Sequence, residues 1–413
     1  MSPNLALNQQ VAERRAAGED ILHLGFGESR LPAFEPLVRS LITGSARNAY
    51  GPVQGDAGTR AAVAGYFTRR RLPTGPDQVV VAPGSKPLLM ALNLVLPGDV
   101  VIPRPAWNTY APQAALAGRR AVPVPIPAEA GGVPDPAALR RTLDAERRAG
   151  RDPRTVILTL PDNPTGTLAP PSLIREICEI AERECLTVVS DEIYRDVVHD
   201  PATPFLSPCE VVPHRTVVTS GLSKSLALGG WRIGVARFPD DGPGRVLRDD
   251  VLSVASEVWS TLAAPMQEVT SYAFSEPPEL RAHLAASARL HGAVARAVHG
   301  LLTEAGAVCR PPTGGFYVYP DFEPIRPVLA AKGVVDSPSL ARHLLDSAGL
   351  AVLAGHLLGD DTGALRFKAA TSMLYGDTPA LQWEALRSEE PLTLPHVAAG
   401  LSRIQDGLRR LVS

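Results

Sequence analysis

The feature that most constrains this chain is a recurrence of short, continuous apolar runs. Each is closed by proline, glycine or an acidic residue, and stretches with helical spacing lie between them. Residues 78–82 (QVVVA) stop at Pro83-Gly84-Ser85, after which the spacing predicts a helix over 86–96. Runs at 100–102, 155–160, 186–190 and 216–219 repeat the pattern, and 171–184 has helical periodicity. A strand that is apolar on both faces must be covered on both faces. The runs therefore predict a mostly parallel sheet between helices, with right-handed crossovers of about 25 to 30 residues. After Asp240-Asp241-Gly242-Pro243-Gly244 long helical stretches take over, notably 278–304. Residues 308–413 then mix strands (315–319, 350–353, 365–369) with helices, and a surface loop at 388–395 precedes a last helix at 397–411. The expected fold class is α/β, with a large sheet-bearing domain at 48–290 and a smaller α+β domain built from 1–47 and 291–413.

Charge adds an exclusion. With 41 basic and 43 acidic residues among 413, the formal charge is −2, so nothing electrostatic argues for nucleic acid or an anionic membrane as partner. Residues 1–18 are too polar for a signal peptide, and the longest apolar runs, such as 88–96, fall far short of the roughly 20 residues that span a bilayer. A cytoplasmic protein is expected. Cys178, Cys185, Cys209 and Cys309 form no CxxC pair, which argues against a disulfide framework or a zinc site. His283, His291 and His299 recur at a spacing that rotates them around a helix, and they read as solvated residues. Only Lys86, Lys224, Lys332 and Lys368 are lysines, so any lysine chemistry falls on four positions.

Three strand ends carry the chemistry. In residues 220–234 (SGLSKSLALGGWRIG), Lys224 follows a strand in a loop of small residues, and Arg232 comes soon after. A lysine that loses solvation there becomes a nucleophilic amine suited to Schiff-base formation, although alone it would be an ordinary loop lysine. Asp191, in Ser190-Asp191-Glu192-Ile193-Tyr194, closes an earlier strand, where open α/β sheets bind ligands. Asn163, in Pro161-Asp162-Asn163-Pro164-Thr165-Gly166, closes another. Gly84-Ser85-Lys86 opens a helix, whose free N–H groups and dipole favour an anion.

Taken in order, PDNPTG, SDEIY and GLSK followed by GWRIG resemble the class I/II aminotransferase family, pyridoxal-phosphate enzymes of fold type I, from about Gly25 to Arg366. The resemblance implies pyridoxal 5′-phosphate as cofactor and Lys224 as its Schiff-base lysine. Asp191 would pair with the pyridinium nitrogen, and Asn163 and Tyr194 would hydrogen-bond the phenolic oxygen. Gly84, Ser85, Lys86, Ser223 and Arg232 would hold the phosphate. Some members have a hydroxyl residue three before the lysine; here Gly221 stands there, which leaves Ser220 or Ser85 to supply the donor. Trp107 would stack on the pyridine, and Tyr50 would reach the phosphate of a neighbouring subunit, implying a homodimer with shared active sites. Arg366 would bind the substrate α-carboxylate, with Gly27 closing over it. Lys368 departs from the family pattern. On a strand it shares a face with Arg366, placing either a second cation near the substrate or an exposed strand-end lysine.

The activity so implied is ping-pong transfer of an amino group between an α-amino acid and a 2-keto acid. The same opening chemistry also serves lyases, cyclases and β/γ-replacement enzymes, for example on S-adenosylmethionine-like amino acids. Lys368, Trp107 and Glu257-Val258-Trp259 leave that alternative open. A ligand-sensing regulator would carry a DNA-binding module before the Gly25 segment, for which the sequence has no room.

Overall fold

The structure is a computed structural model and describes residues 3–413. Its centre is a seven-stranded sheet. In chain order the strands are β1 (Val79–Ala82), β2 (Asp99–Arg104), β3 (Ala121–Pro125), β4 (Pro153–Thr159), β5 (Thr187–Asp191), β6 (Thr216–Gly221) and β7 (Gly234–Arg237). The spatial order is β1-β7-β6-β5-β4-β2-β3. All neighbours are parallel except β7, which runs antiparallel to both β1 and β6. The apolar runs supplied five of these strands. The other two were hidden for physical reasons: β3 (AVPVP) carries prolines that only an edge strand tolerates, and β7 is only four residues (GVAR), starting at the last glycine of the GWRIG segment.

The covering helices follow from spacing and caps. Pro171–Arg183 has proline in its first turn, where no N–H is needed, and buries Leu173, Ile174, Ile177, Cys178, Ile180 and Ala181 as one stripe. Arg183 in its last turn and Cys185 in a left-handed conformation (φ 53°) end it and turn the chain into β5. The strand ends, and therefore the site, are set by such helices.

Residues 3–23 pack with the C-terminal portion. Val11 of helix Pro3–Ala16 packs with Leu345 and Ala351, and strand Leu22–His23 pairs in parallel with Leu350–Ala351. Helix Glu35–Gly44 does not follow them. Its Leu37 is buried with Val63, Phe67, Val269 and Ala273, so it packs on the sheet-bearing body and the expected boundary at 47 lies too late. Helix Pro278–Glu304 serves both bodies: Leu280 sits in that cluster, while Leu290, Val294, Val298 and Leu302 sit in the core of the smaller body. A boundary at 290 thus falls inside a continuous helix.

Two of the three histidines of this helix, His283 and His291, also depart from expectation. His283 is buried and stacked on Phe34, and His291 is fully buried between Ser29 and Tyr375. Burial pushes His291 down to about 3, so it is a neutral core residue and not a solvated one. Among the described residues, no helix is long and apolar enough to cross a membrane, no group of side chains could hold a metal ion, and all four cysteines are free.

Candidate active site

The carboxyl ends of β4, β5 and β6, together with the turns after β1 and β2, open into one cavity of about 330 Å³. Lys224, Asp191, Asn163, Tyr194, Ser85, Lys86, Trp107, Ser223, Arg232 and Gly27 all line it, and Gly84 is the residue before Ser85, against the Arg232 guanidinium. Two expected residues do not. Tyr50 is 92% exposed on a separate surface hollow with Arg47 and Asn48, and Arg366 lies outside the cavity wall.

Asp191 ends β5 and is almost entirely buried. Its carboxylate accepts hydrogen bonds from the Tyr110 hydroxyl at 2.8 Å and the Thr219 hydroxyl at 3.3 Å. Burial pushes its pKa up to about 6, and those two donors restrain the rise. A carboxylate so placed is short of a cation. Lys224 stands in the short helical turn Leu222–Ser225 after β6, and its Nζ donates to the Gly27 carbonyl at 2.5 Å. Burial lowers Lys224 to about 8; Glu28 opposes the shift, while Lys86 and Arg232 add to it. A useful fraction of neutral amine therefore exists near neutral pH, as a nucleophile or proton acceptor requires.

The anion-binding end is built from backbone. Gly84 has φ 98°, and a Cβ there would lie 2.2 Å from Arg232 Nη2, so glycine lets the guanidinium lie against the turn that starts helix Ser85–Val95. Arg232 is itself left-handed (φ 57°) and is held by its Nη1 donating to the Gly229 carbonyl at 2.7 Å. Of the two hydroxyls considered for the missing donor, Ser85 lines the cavity, while Ser220 turns toward the Glu192 carbonyl at 3.4 Å. Burial and the neighbouring Arg232 lower the pKa of Lys86, whose Nζ lies 5.2 Å from the Trp107 ring centre.

The smaller body closes the other side. Tyr317 shares a hydroxyl–hydroxyl hydrogen bond of 2.7 Å with Tyr194, and Lys368 Nζ lies 5.0 Å from the Tyr317 ring centre. Lys368 is 1% exposed, so the reading of it as an exposed strand-end residue does not hold. Arg366, by contrast, donates from Nε to Asp321 at 2.8 Å and pairs through Nη1 with Asp360 at 3.1 Å. Asp321 faces it across an antiparallel bridge, and that acidic pair draws the guanidinium away from the cavity.

A pyridoxal phosphate molecule suits these residues. Asn163 lines the cavity with its side-chain oxygen buried and unpartnered, the buried Asp191 carboxylate lines it too, and the absence of a Cβ at Gly84 lets the Arg232 guanidinium lie against the turn that opens helix Ser85–Val95.

The family model for aminotransferase class I and II matches residues 19–373. The chain belongs to this family. It is 30% identical over 371 residues to the aspartate/prephenate aminotransferase of Thermus thermophilus, covering 86% of this chain and 88% of that protein. It is 31% identical over 375 residues to the enzyme of the same name from Cereibacter sphaeroides, covering 87% and 89%. Among solved structures, the aspartate aminotransferase from Thermus thermophilus with maleate superposes with a TM-score of 0.82 at 26% identity, covering 98% of this chain and 97% of that one. The protein is thus a fold type I aminotransferase, and the family is generally pyridoxal-phosphate dependent. The names of its relatives favour amino-group transfer over elimination, replacement or cyclisation.

Several residues in and around the cavity carry no signal in the sequence. Tyr110 and Thr219 hold Asp191, yet a tyrosine in a helix and a threonine inside a strand carry no signal of their own. Tyr317, Glu28, Asn4 and Leu5 reach the cavity only through the tertiary fold.

Proposed function

We propose that this aminotransferase binds pyridoxal 5′-phosphate in the cavity and acts as a cytoplasmic homodimer, moving an amino group from an α-amino acid to a 2-keto acid by a ping-pong cycle. The observation that carries the reading is the convergence of Lys224 and Asp191 on one cavity at the sheet's carboxyl edge. Free cysteines fit a reducing compartment.

When bound, the cofactor supplies an electron-withdrawing ring that stabilises negative charge at the substrate α-carbon. Asp191, as a carboxylate, would pair with the ring nitrogen and favour its protonated form. Asn163, through its amide nitrogen, and Tyr194, through its hydroxyl, would donate to the ring's phenolic oxygen, and Trp107 would pack against the ring. Ser85, Ser223, Lys86 and Arg232 surround the phosphate position, using the N–H groups of helix Ser85–Val95. Lys224 Nζ, neutral near its lowered pKa, takes the proton from the substrate α-carbon. Phe26 and Glu28 belong to the segment that borders the entrance and would exclude water. Exposed Tyr50 suits a role in a partner subunit's site.

The test is a half-reaction. With pyridoxal phosphate bound, adding an amino acid donor should bleach the lysine-bound absorbance band and release one keto acid; aspartate, named in these relatives, is the first donor to try. Lys224→Ala should lose the band entirely. Consumption of amino acid without keto acid or the pyridoxamine form would sink the reading.

A further inference from the structure

Two amines, those of Lys224 and Lys368, line one cavity of about 330 Å³, whereas Schiff-base formation needs only one. Lys368 stands in strand Phe367–Ala370, paired antiparallel with both Leu353–Ala354 and Tyr317–Val318, and is 1% exposed. No acidic side chain pairs with it among the described residues; its Nζ lies 5.0 Å from the centre of the Tyr317 ring face. The Gly27 segment stands between the two lysines. Its carbonyl accepts from Lys224 Nζ, and a Cβ on Gly27 would lie 2.2 Å from the hydroxyl of Tyr317, the tyrosine that Lys368 faces.

The charges around this pair leave Lys368 unmatched. On its own strand edge, Arg366 is paired with Asp321 and Asp360. His23, on strand Leu22–His23, is pushed down to about 4 by burial and by Arg15, Arg30 and Lys368, so it stays neutral. Around Lys224 stand Glu28 in the entrance segment, Lys86 on helix Ser85–Val95, Arg232 before β7 and Asp191 at the end of β5. The phenols of Tyr110, Tyr194 and Tyr317 are pushed far up by burial and bring no charge. Two ammonium groups in one cavity repel, so protonating one amine makes the other harder to protonate and the two titrate as a pair. That repulsion falls only with the inverse of distance, so it persists as the Lys368 side chain swings within the cavity.

We infer that Lys368 is a positioning residue that acts through Lys224: its ammonium, unmatched by any carboxylate, biases the Lys224 nitrogen toward the unprotonated state in which it accepts a proton. This rests on the aminotransferase reading and adds a residue to the proton chemistry of its site. Burial lowers both amines, Lys224 to about 8 and Lys368, which the Lys224 ammonium also opposes, to about 7. In the Schiff base above its midpoint the Lys224 nitrogen is uncharged. The repulsion on Lys368 is then lifted, and Lys368 carries the charge. A cation so placed disfavours return of the proton to Lys224 and lowers the midpoint of the Schiff base; a neutral side chain at 368 raises it. The effect is present in the loaded enzyme before any substrate arrives.

The experiment titrates the lysine-bound absorbance band of the enzyme loaded with pyridoxal phosphate, without substrate, over about pH 5 to 10. The wavelength of the band reports whether the Lys224 nitrogen carries its proton. Lys368→Met should raise the midpoint by about 1 pH unit. Lys368→Arg keeps a cation and should stay at or below the wild-type midpoint. A side chain that merely filled space would not separate the two variants by charge. Lys368→Met removes an unpaired buried charge and should not lower the melting temperature; Lys368→Gln, equally neutral, gives the same reading should the methionine variant fail to load. A midpoint that stays at the wild-type value or falls in the neutral variant overturns the assignment, as does one that rises equally in Lys368→Arg. Wild-type protein that develops no lysine-bound band with pyridoxal phosphate would instead fail the function on which it rests.

Discussion

The ionisation of the buried Asp191 carboxyl depends on the hydroxyl of Tyr110. Tyr110 donates to it at 2.8 Å while also sharing a hydrogen bond of 2.8 Å with Thr159. Burial places the carboxyl near 6, and a donor to the charged form holds it below where burial alone would. The ionised form is the one that binds a protonated ring nitrogen, so cofactor affinity should rise with pH through about 6. Removing the hydroxyl in Tyr110→Phe withdraws support from the carboxylate, raises its pKa further and moves that rise to higher pH, by about 1 pH unit for one charge-assisted hydrogen bond. Titrating apoprotein with pyridoxal phosphate across pH 5 to 9 checks this; an unmoved midpoint would refute the positioning role. Lys368 makes the complementary point about legibility. Its identity stood out among four lysines, yet whether it faced water or the cavity depended on strand register, which spacing alone does not settle.

At the scale of elements, the strands that read clearly were those whose apolar runs are long enough to be buried on both faces. Val79–Ala82 and Thr216–Gly221 are buried at every position, and the residues following them carry the site. The antiparallel β7 did not read, because its four residues double as packing for the phosphate turn. A Cβ on Gly234 would lie 2.2 Å from the Gly84 carbonyl carbon, so this strand is pressed against the turn it supports. That contact, the left-handed Gly84 and the guanidinium of Arg232 form one unit. Gly84→Ala should therefore act on the cofactor before it acts on the fold. Its Cβ would displace the flexible end of Arg232, and the left-handed backbone would cost about 1 to 2 kcal/mol. The expected outcome is a cofactor dissociation constant raised by about 10-fold with a melting temperature only slightly lowered. Unchanged affinity would mean that Arg232 does not hold the phosphate.

At the scale of the molecule, the two bodies are joined by helix Pro278–Glu304 and by the chain around residues 25–30, where Ser29 meets His291 at 3.3 Å and Ser372 donates to the Glu28 carbonyl at 2.5 Å. The sheet body supplies Lys224, Asp191 and Arg232 to the cavity, and the smaller body supplies Tyr317 and Lys368. Tyr50 is the residue left over. It is a large aromatic at 92% exposure beside Arg47, Asn48 and the Gly51–Pro52 turn, a poor place for a tyrosine in a lone subunit. If it completes the phosphate site of a partner, two defective proteins should repair one another. Lys224→Ala dimers retain Tyr50 but have no nucleophile, and Tyr50→Ala dimers retain Lys224 but hold the cofactor weakly. After dissociation and reassociation, half of the dimers are mixed, and each mixed dimer has one site in which Lys224 of one chain meets Tyr50 of the other. Assayed at a cofactor concentration that leaves Tyr50→Ala unloaded, the mixture should regain roughly a quarter of the wild-type activity per site. If the exchanged mixture stays as inactive as its parents, each chain builds its phosphate site alone and Tyr50 has no part in a shared one.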